Sequence, residues 1–190
     1  MDMKNKTNQP AIPSALTRRD FVKTAGATVA ATTIASPLIA KAANLGQDTI
    51  NIGVIGCGGR GSGAVVNALE ASADVRLVAM ADVFPDRLAS SRKHLETLGD
   101  RAKVNNSRTY VGFNAYQELL DHGDDLDYVI LATPPHFRPI HLAAAIKANK
   151  NVFMEKPVAV DPEGIRSVIM SGLMAERKKL SIVAGTQRRH

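Results

Sequence analysis

Ile52-Gly53-Val54-Ile55 runs directly into Gly56-Cys57-Gly58-Gly59-Arg60-Gly61, a complete G-x-G-x-x-G set between an apolar run and a helix-period segment. The chemistry such a loop serves is phosphate binding. Gly56 permits a tight strand-to-helix turn, Gly58 lets the main chain approach a pyrophosphate, and Gly61 lets the helix pack close to the strand. The helix start then offers unpaired N–H groups to anionic oxygens. Residues 75–81 lead into Asp82, about 20 residues beyond the loop, where a carboxylate hydrogen-bonds the ribose hydroxyls of an adenosine. Its charge repels a 2′-phosphate, so the two signals together predict NAD in preference to NADP. Arg60 reads either as a phosphate contact or as a surface cation at the helix start. Arg87 reads as a solvated helix residue, the alternative being a swing toward the ribose that weakens the preference for NAD, and Cys57 has no assigned redox role.

These residues need a scaffold that brings the loop and Asp82 to one edge. From residue 48 onward, short β-branched apolar runs alternate with helix-period segments, the pattern of a doubly wound, mostly parallel α/β sheet. Strands are predicted over 50–55, 75–81, 128–132, 152–154 and 181–184, each nearly all apolar, as for parallel strands covered on both faces. Helices are predicted over 62–71, 85–98, 115–121, 139–148 and 162–179. The last has Asp161 as N-cap, Pro162 and Glu163 in its first turn, and Arg177, Lys178 and Lys179 at its end. Its Ile165, Val168, Ile169 and Leu173 predict a core-facing stripe. Residues 43–190 read as one domain, long enough to bury about two-thirds of the surface of its unfolded chain.

Two further landmarks fall at the carboxyl ends of predicted strands, where open α/β sheets collect ligands. They are Ala132-Thr133-Pro134-Pro135-His136-Phe137-Arg138-Pro139 and Met154-Glu155-Lys156-Pro157. With the glycine loop and Asp82, they resemble the Gfo/Idh/MocA family of nicotinamide-dependent oxidoreductases over residues 50–190. Glu155-Lys156-Pro157 after a short apolar strand is the most specific element. The resemblance implies a Rossmann-like domain with Gly56, Gly58, Gly59, Arg60, Gly61 and Asp82 on the cofactor. Thr133 and Pro134 would line its nicotinamide half, and Glu155 would help to hold it. Lys156 would be the catalytic residue, facing the substrate carbon that loses or gains hydride. An ammonium beside a substrate hydroxyl lowers that hydroxyl's pKa and relays its proton. Many relatives place a second histidine two residues after the first, whereas here His136 is followed by Phe137 and Arg138. A lone histidine in a proline-bounded loop, His136 reads as structural, the alternative being a contact with substrate or the cofactor ribose, and His141 reads as helix packing. No metal site is predicted.

The resemblance implies an oxidoreductase acting on a sugar, cyclitol or polyol. Some relatives with similar leaders are NAD-dependent glycosidases, which oxidise a sugar transiently, eliminate the aglycone and reduce the sugar again. A non-catalytic dinucleotide-binding module is a third reading. A methyltransferase shares the glycine loop and the acidic residue but does not predict Glu155-Lys156-Pro157. Family members continue into a second α/β domain that supplies most substrate contacts, and a homo-oligomer would form through it. This chain is expected to lack that domain, with Gln187 and Arg189 facing it. It is then expected to bind NAD weakly and turn over little, because hydride transfer needs a substrate about 3–3.5 Å from the nicotinamide and shielded from water.

Composition narrows the rest. The 190 residues are 45% hydrophobic, with no tryptophan and few aromatics, which lacks the basic-aromatic surface of a single-strand nucleic-acid binder. The net charge of +6 is concentrated at the start: residues 1–42 hold six basic and two acidic side chains, leaving 18 and 16 for the remainder. Neither nucleic acid nor an anionic membrane is predicted as partner. The leader has a polar segment, then Arg18-Arg19-Asp20-Phe21-Val22-Lys23, then an uncharged Ala/Thr-rich run over 24–40 and Ala40-Lys41-Ala42. This resembles a twin-arginine export signal cleaved after Ala42, with the export machinery as partner and the periplasm as destination. The uncharged run is short against the ~20 apolar residues of a membrane span.

Overall fold

The structure is a computed structural model and describes residues 49–186. The leader expectation for residues 1–42 and the placement of Gln187 and Arg189 lie outside the described residues.

β1 (Ile50–Ile55) feeds α1 (Gly59–Ala71), then β2 (Val75–Asp82) and α2 (Pro85–Glu96). Two short 3₁₀ turns lead to β3 (Thr109–Val111), α3 (Ala115–Asp121) and β4 (Tyr128–Leu131). α4 (Arg138–Lys147), β5 (Asn151–Glu155), α5 (Pro162–Arg177) and β6 (Ile182–Gly185) follow. The six strands form one sheet in the order β3-β2-β1-β4-β5-β6, and every neighbouring pair is parallel. The order reverses between β1 and β4, which opens a crevice at their carboxyl ends, the place where such folds bind ligands. Among the described residues no helix is long and apolar enough to cross a membrane.

Successive strand side chains point to opposite faces, so each apolar run supplies two cores. Ile52, Val54, Leu77, Met80 and Ile130 pack with Val65, Leu69, Leu88 and Leu95 on one face. Ile55, Ala81, Val129, Leu131 and Val152 pack with Leu119, Leu142 and Ile146 on the other. The five predicted strands and five predicted helices are all present, with ends displaced by up to three residues. α1 begins at Gly59 instead of Ser62 because Gly58 is already extended and serves as N-cap. β3 escaped the sequence reading: it is three residues long at the sheet edge, too short for an apolar run to register.

α5 requires a correction. Asp161 caps it as predicted, accepting from the Gly164 N–H at 2.6 Å. The stripe Ile165, Ile169 and Leu173 is nevertheless exposed, Ile169 at 56%, and Val168 is half-buried. The helix instead buries Ser171 and Ala175, on the line that also carries Gly164 and Val168. Small residues let α5 approach α4 closely; a Cβ at Gly164 would lie 3.1 Å from the ring of Pro139. The bulky stripe turns away among the described residues. At the end of α5, Lys178 donates from Nζ to the carbonyls of Ile146 and Lys147, so it satisfies the end of α4.

Candidate functional site

The site begins where β1 stops. Gly56 has a φ of +97°, and a Cβ there would meet the Thr133 nitrogen at 2.7 Å, so both conformation and space require glycine. A Cβ at Gly61 would fall 1.8 Å from the Gly56 carbonyl oxygen, which fixes the close seating of α1 on the turn. Gly58 differs, since a Cβ there would meet nothing within 4 Å. Its main chain faces open space at the cavity wall. α1 has no side-chain cap and no acidic residue in its first turn. Its N–H groups and the positive end of its dipole are therefore left for an anion from outside the helix.

Asp82 ends β2 next to this turn. Its Oδ2 accepts from the Cys57 N–H at 2.6 Å and its Oδ1 from the Phe84 N–H at 2.9 Å. The carboxylate is thus held from two sides, and each oxygen keeps acceptor capacity toward the cavity. Burial, and then the Asp82 charge, pushes the Cys57 thiol up to about 12, so it stays protonated. This agrees with giving Cys57 no redox role. Arg87 is placed over the Phe84 ring at 5.1 Å, and both line the cavity beside Asp82. Arg87 is exposed on its helix, as read from the sequence, and the contact with Phe84 is a surface one.

The two landmarks meet across β4 and β5. Thr133 Oγ1 lies 3.1 Å from His141 Nδ1, and His141 packs against the Tyr116 ring at 4.3 Å. His141 is buried packing, as read from the sequence, and also a cavity wall. His136 is exposed and outside the cavity lining, set edge-on against Phe137. Glu155 is buried, and its Oε1 accepts from Arg60 Nε at 2.6 Å. The two readings of Arg60 both omitted this partner. Lys156 is exposed at the cavity wall, and its peptide bond to Pro157 is cis.

Gly56, Gly58, Arg60, Asp82, Thr133, Pro134, Glu155 and Lys156 all line one cavity of about 600 Å³. Gly59 and Gly61 do not; they build the start of α1. Asp82 ends β2 and Glu155 ends β5, three strand positions apart in the sheet, or about 14 Å at ordinary strand spacing. The cavity therefore reaches from an anchored carboxylate, past a helix N-terminus, to a lysine. That layout fits an extended dinucleotide, with Asp82 at the ribose, the Gly58 main chain and α1 at the phosphates, and Thr133 and Lys156 at the far end. Among the described residues no three His, Cys, Asp or Glu side chains cluster as a metal site.

Residues 50–184 match the family model described as "Oxidoreductase family, NAD-binding Rossmann fold", GFO_IDH_MocA. The chain belongs to this family. It is an NAD-binding Rossmann domain, as the glycine loop and sheet order had indicated. It is 31% identical over 147 residues to a glycosyl hydrolase family 109 protein of Solibacter usitatus, covering 75% of this chain and 33% of that one. It is 26% identical over 141 residues to an inositol 2-dehydrogenase of Rhizobium meliloti, covering 74% and 37%. Among solved structures, apo scyllo-inositol dehydrogenase from Lactobacillus casei superposes with a TM-score of 0.60 at 26% identity, covering 75% of this chain and 38% of that one. The chain thus spans about a third of the length of the relatives it matches.

Sequence reasoning missed Arg138, which the structure buries under both landmark loops. Its departure from the common histidine was visible, but nothing in the sequence marks its partners, because they are main-chain carbonyls.

Proposed function

We propose that this chain is the nucleotide-binding portion of an NAD-dependent oxidoreductase acting on a sugar, cyclitol or polyol. The observation that carries the reading is the single cavity joining the glycine loop and Asp82 to Lys156. NAD, when bound, supplies the hydride acceptor. The chain's own residues bind and orient it: Asp82 takes the adenosine ribose, and the start of α1 takes the phosphates. Asp82 disfavours a 2′-phosphate and so selects NAD over NADP. Thr133, Pro134 and Glu155 shape the nicotinamide end, and the Lys156 ammonium holds the substrate hydroxyl and relays its proton. The names of the inositol dehydrogenase relatives support a polyol substrate.

The glycosyl hydrolase family 109 relatives favour a second reading, a glycosidase in which oxidation is transient. In the intact protein, net NADH formation from a free polyol supports the first reading, and aglycone release without net NADH supports the second. Calorimetry on this chain tests the shared premise. NAD is expected to bind, NADP about tenfold or more weakly, and S-adenosylmethionine not at all; binding of the last without the first two overturns the reading.

The leader supports export by the twin-arginine route to the periplasm, with residues 43–190 as the mature domain. Replacing Arg18 and Arg19 by lysine is expected to retain the protein in the cytoplasm, as read by cell fractionation; unchanged export removes this assignment.

A further inference from the structure

Arg138 opens α4, yet its side chain turns inward and is 2% exposed. Nη1 donates to the carbonyl oxygens of Glu155 and Pro157, each at 2.5 Å, and Nη2 donates to the carbonyl of Thr133. The three acceptors belong to two loops, one leaving β4 and one leaving β5. Two of them, Glu155 and Pro157, flank Lys156 in the chain on both sides. From the glycine-loop side, Arg60 holds the Glu155 carboxylate. One guanidinium thus ties the main chain around Lys156 to the Thr133 turn, and a second arginine ties the same segment to the phosphate-binding loop.

Three hydrogen bonds to carbonyls offset part of the cost of burying this cation, yet local rules run against the choice. A cation at a helix N-terminus opposes the dipole. A buried charge is costly unless paired and fully hydrogen-bonded. Arg138 makes no ion pair with a carboxylate among the described residues, and its buried Nε has no partner there. What arginine does supply is a rigid planar fork whose donors engage several carbonyls at fixed angles. Departures from local rules with such a geometric return concentrate at functional sites.

We infer that Arg138 is a positioning residue: it locks the Thr133 turn and the Glu155–Pro157 segment into one rim, so that Lys156 is presented at a set place beside the nicotinamide end of the cavity. The inference rests on the NAD reading above. Because Arg138 acts on one end only, it separates the two halves of the dinucleotide. Among the described residues, none of the Arg138 hydrogen bonds reaches Asp82 or the glycine loop, which hold the adenosine half; Arg60–Glu155 is the one indirect link.

The test compares NADH with ADP-ribose, which lacks the nicotinamide, on the 190-residue chain and on Arg138→Lys and Arg138→Met. The wild-type chain is expected to bind NADH more tightly than ADP-ribose and to enhance nicotinamide emission. Arg138→Lys is expected to weaken NADH about tenfold and to lose the enhancement, while ADP-ribose affinity stays within about twofold. Arg138→Met is expected to do the same more strongly; should it fail to fold, the lysine variant decides, since its ammonium still reaches part of the carbonyl set. Equal weakening of both ligands, or no change in either, overturns the positioning role and leaves NAD binding intact. Equal binding of both ligands by the wild-type chain, without an emission change, overturns it as well. Failure of the wild-type chain to bind either ligand overturns the NAD reading itself.

Discussion

His141 is buried between the Tyr116 ring and the Thr133 hydroxyl, with the Arg138 guanidinium nearby. Burial, and then the Arg138 charge, lowers its pKa from 6.5 to about 4. The folded value lies below the unfolded one, so as pH falls the unfolded chain takes up this proton first. The neutral ring's contribution is complete above about pH 6.5 and is lost progressively as pH falls toward 4, a difference of order 3 kcal/mol. Thermal melts across that range should show a falling melting temperature in the wild type and a flatter profile in His141→Gln. Identical slopes would assign the acid sensitivity to other groups. At this scale the glycine turn and the place of Asp82 at the end of β2 were legible in the sequence because they follow from a local turn and a fixed spacing. Arg138 and the Arg60–Glu155 pair were not, because Arg138 bonds main-chain carbonyls 5, 17 and 19 residues away and Arg60 meets Glu155 across 95.

Among the elements, α5 shows how an amphipathic pattern misleads. Two lines of residues run along it, one bulky and one small, and periodicity favours the bulky one. The neighbouring helix decides otherwise: the small line of Gly164, Val168, Ser171 and Ala175 permits close packing, and Ile165, Ile169 and Leu173 stay exposed. In urea denaturation of the 190-residue chain, Ile169→Lys and Leu173→Lys should each change stability by no more than about 0.5 kcal/mol. Leu142→Ala, on the fully buried face of α4, should cost about 2–5 kcal/mol. A loss of core size from Ile169→Lys would show that the bulky stripe is packed. The caps behaved differently, since Asp161 bonds only three residues along the chain and is readable from the local sequence.

For the whole molecule, the cavity depends on strand order. Asp82, Gly56, Thr133 and Lys156 come from the ends of β2, β1, β4 and β5, which are consecutive in the sheet but not in the chain. A ligand that spans these ends couples to global unfolding by mass action. At about one hundred times its Kd, NAD should stabilise the chain by roughly 2.7 kcal/mol, visible as a melting temperature raised by several degrees. Asp82→Ala should abolish most of that rise; an undiminished rise would place NAD elsewhere.

The sequence by itself determined the α/β class, the glycine turn after the first strand, the acidic end of the second strand and the family to which the chain belongs. Each of these depends on residue types within a few positions of one another or on an apolar period, and such local preferences survive without knowledge of neighbours. Only the tertiary structure decided which line of α5 is buried, that β3 adds an edge strand, that Arg60 meets Glu155, and that Arg138 binds the rim of both landmark loops. These outcomes depend on which surfaces the sheet brings together. Main-chain carbonyls, the partners of Arg138, are present at every residue and acquire meaning only from position.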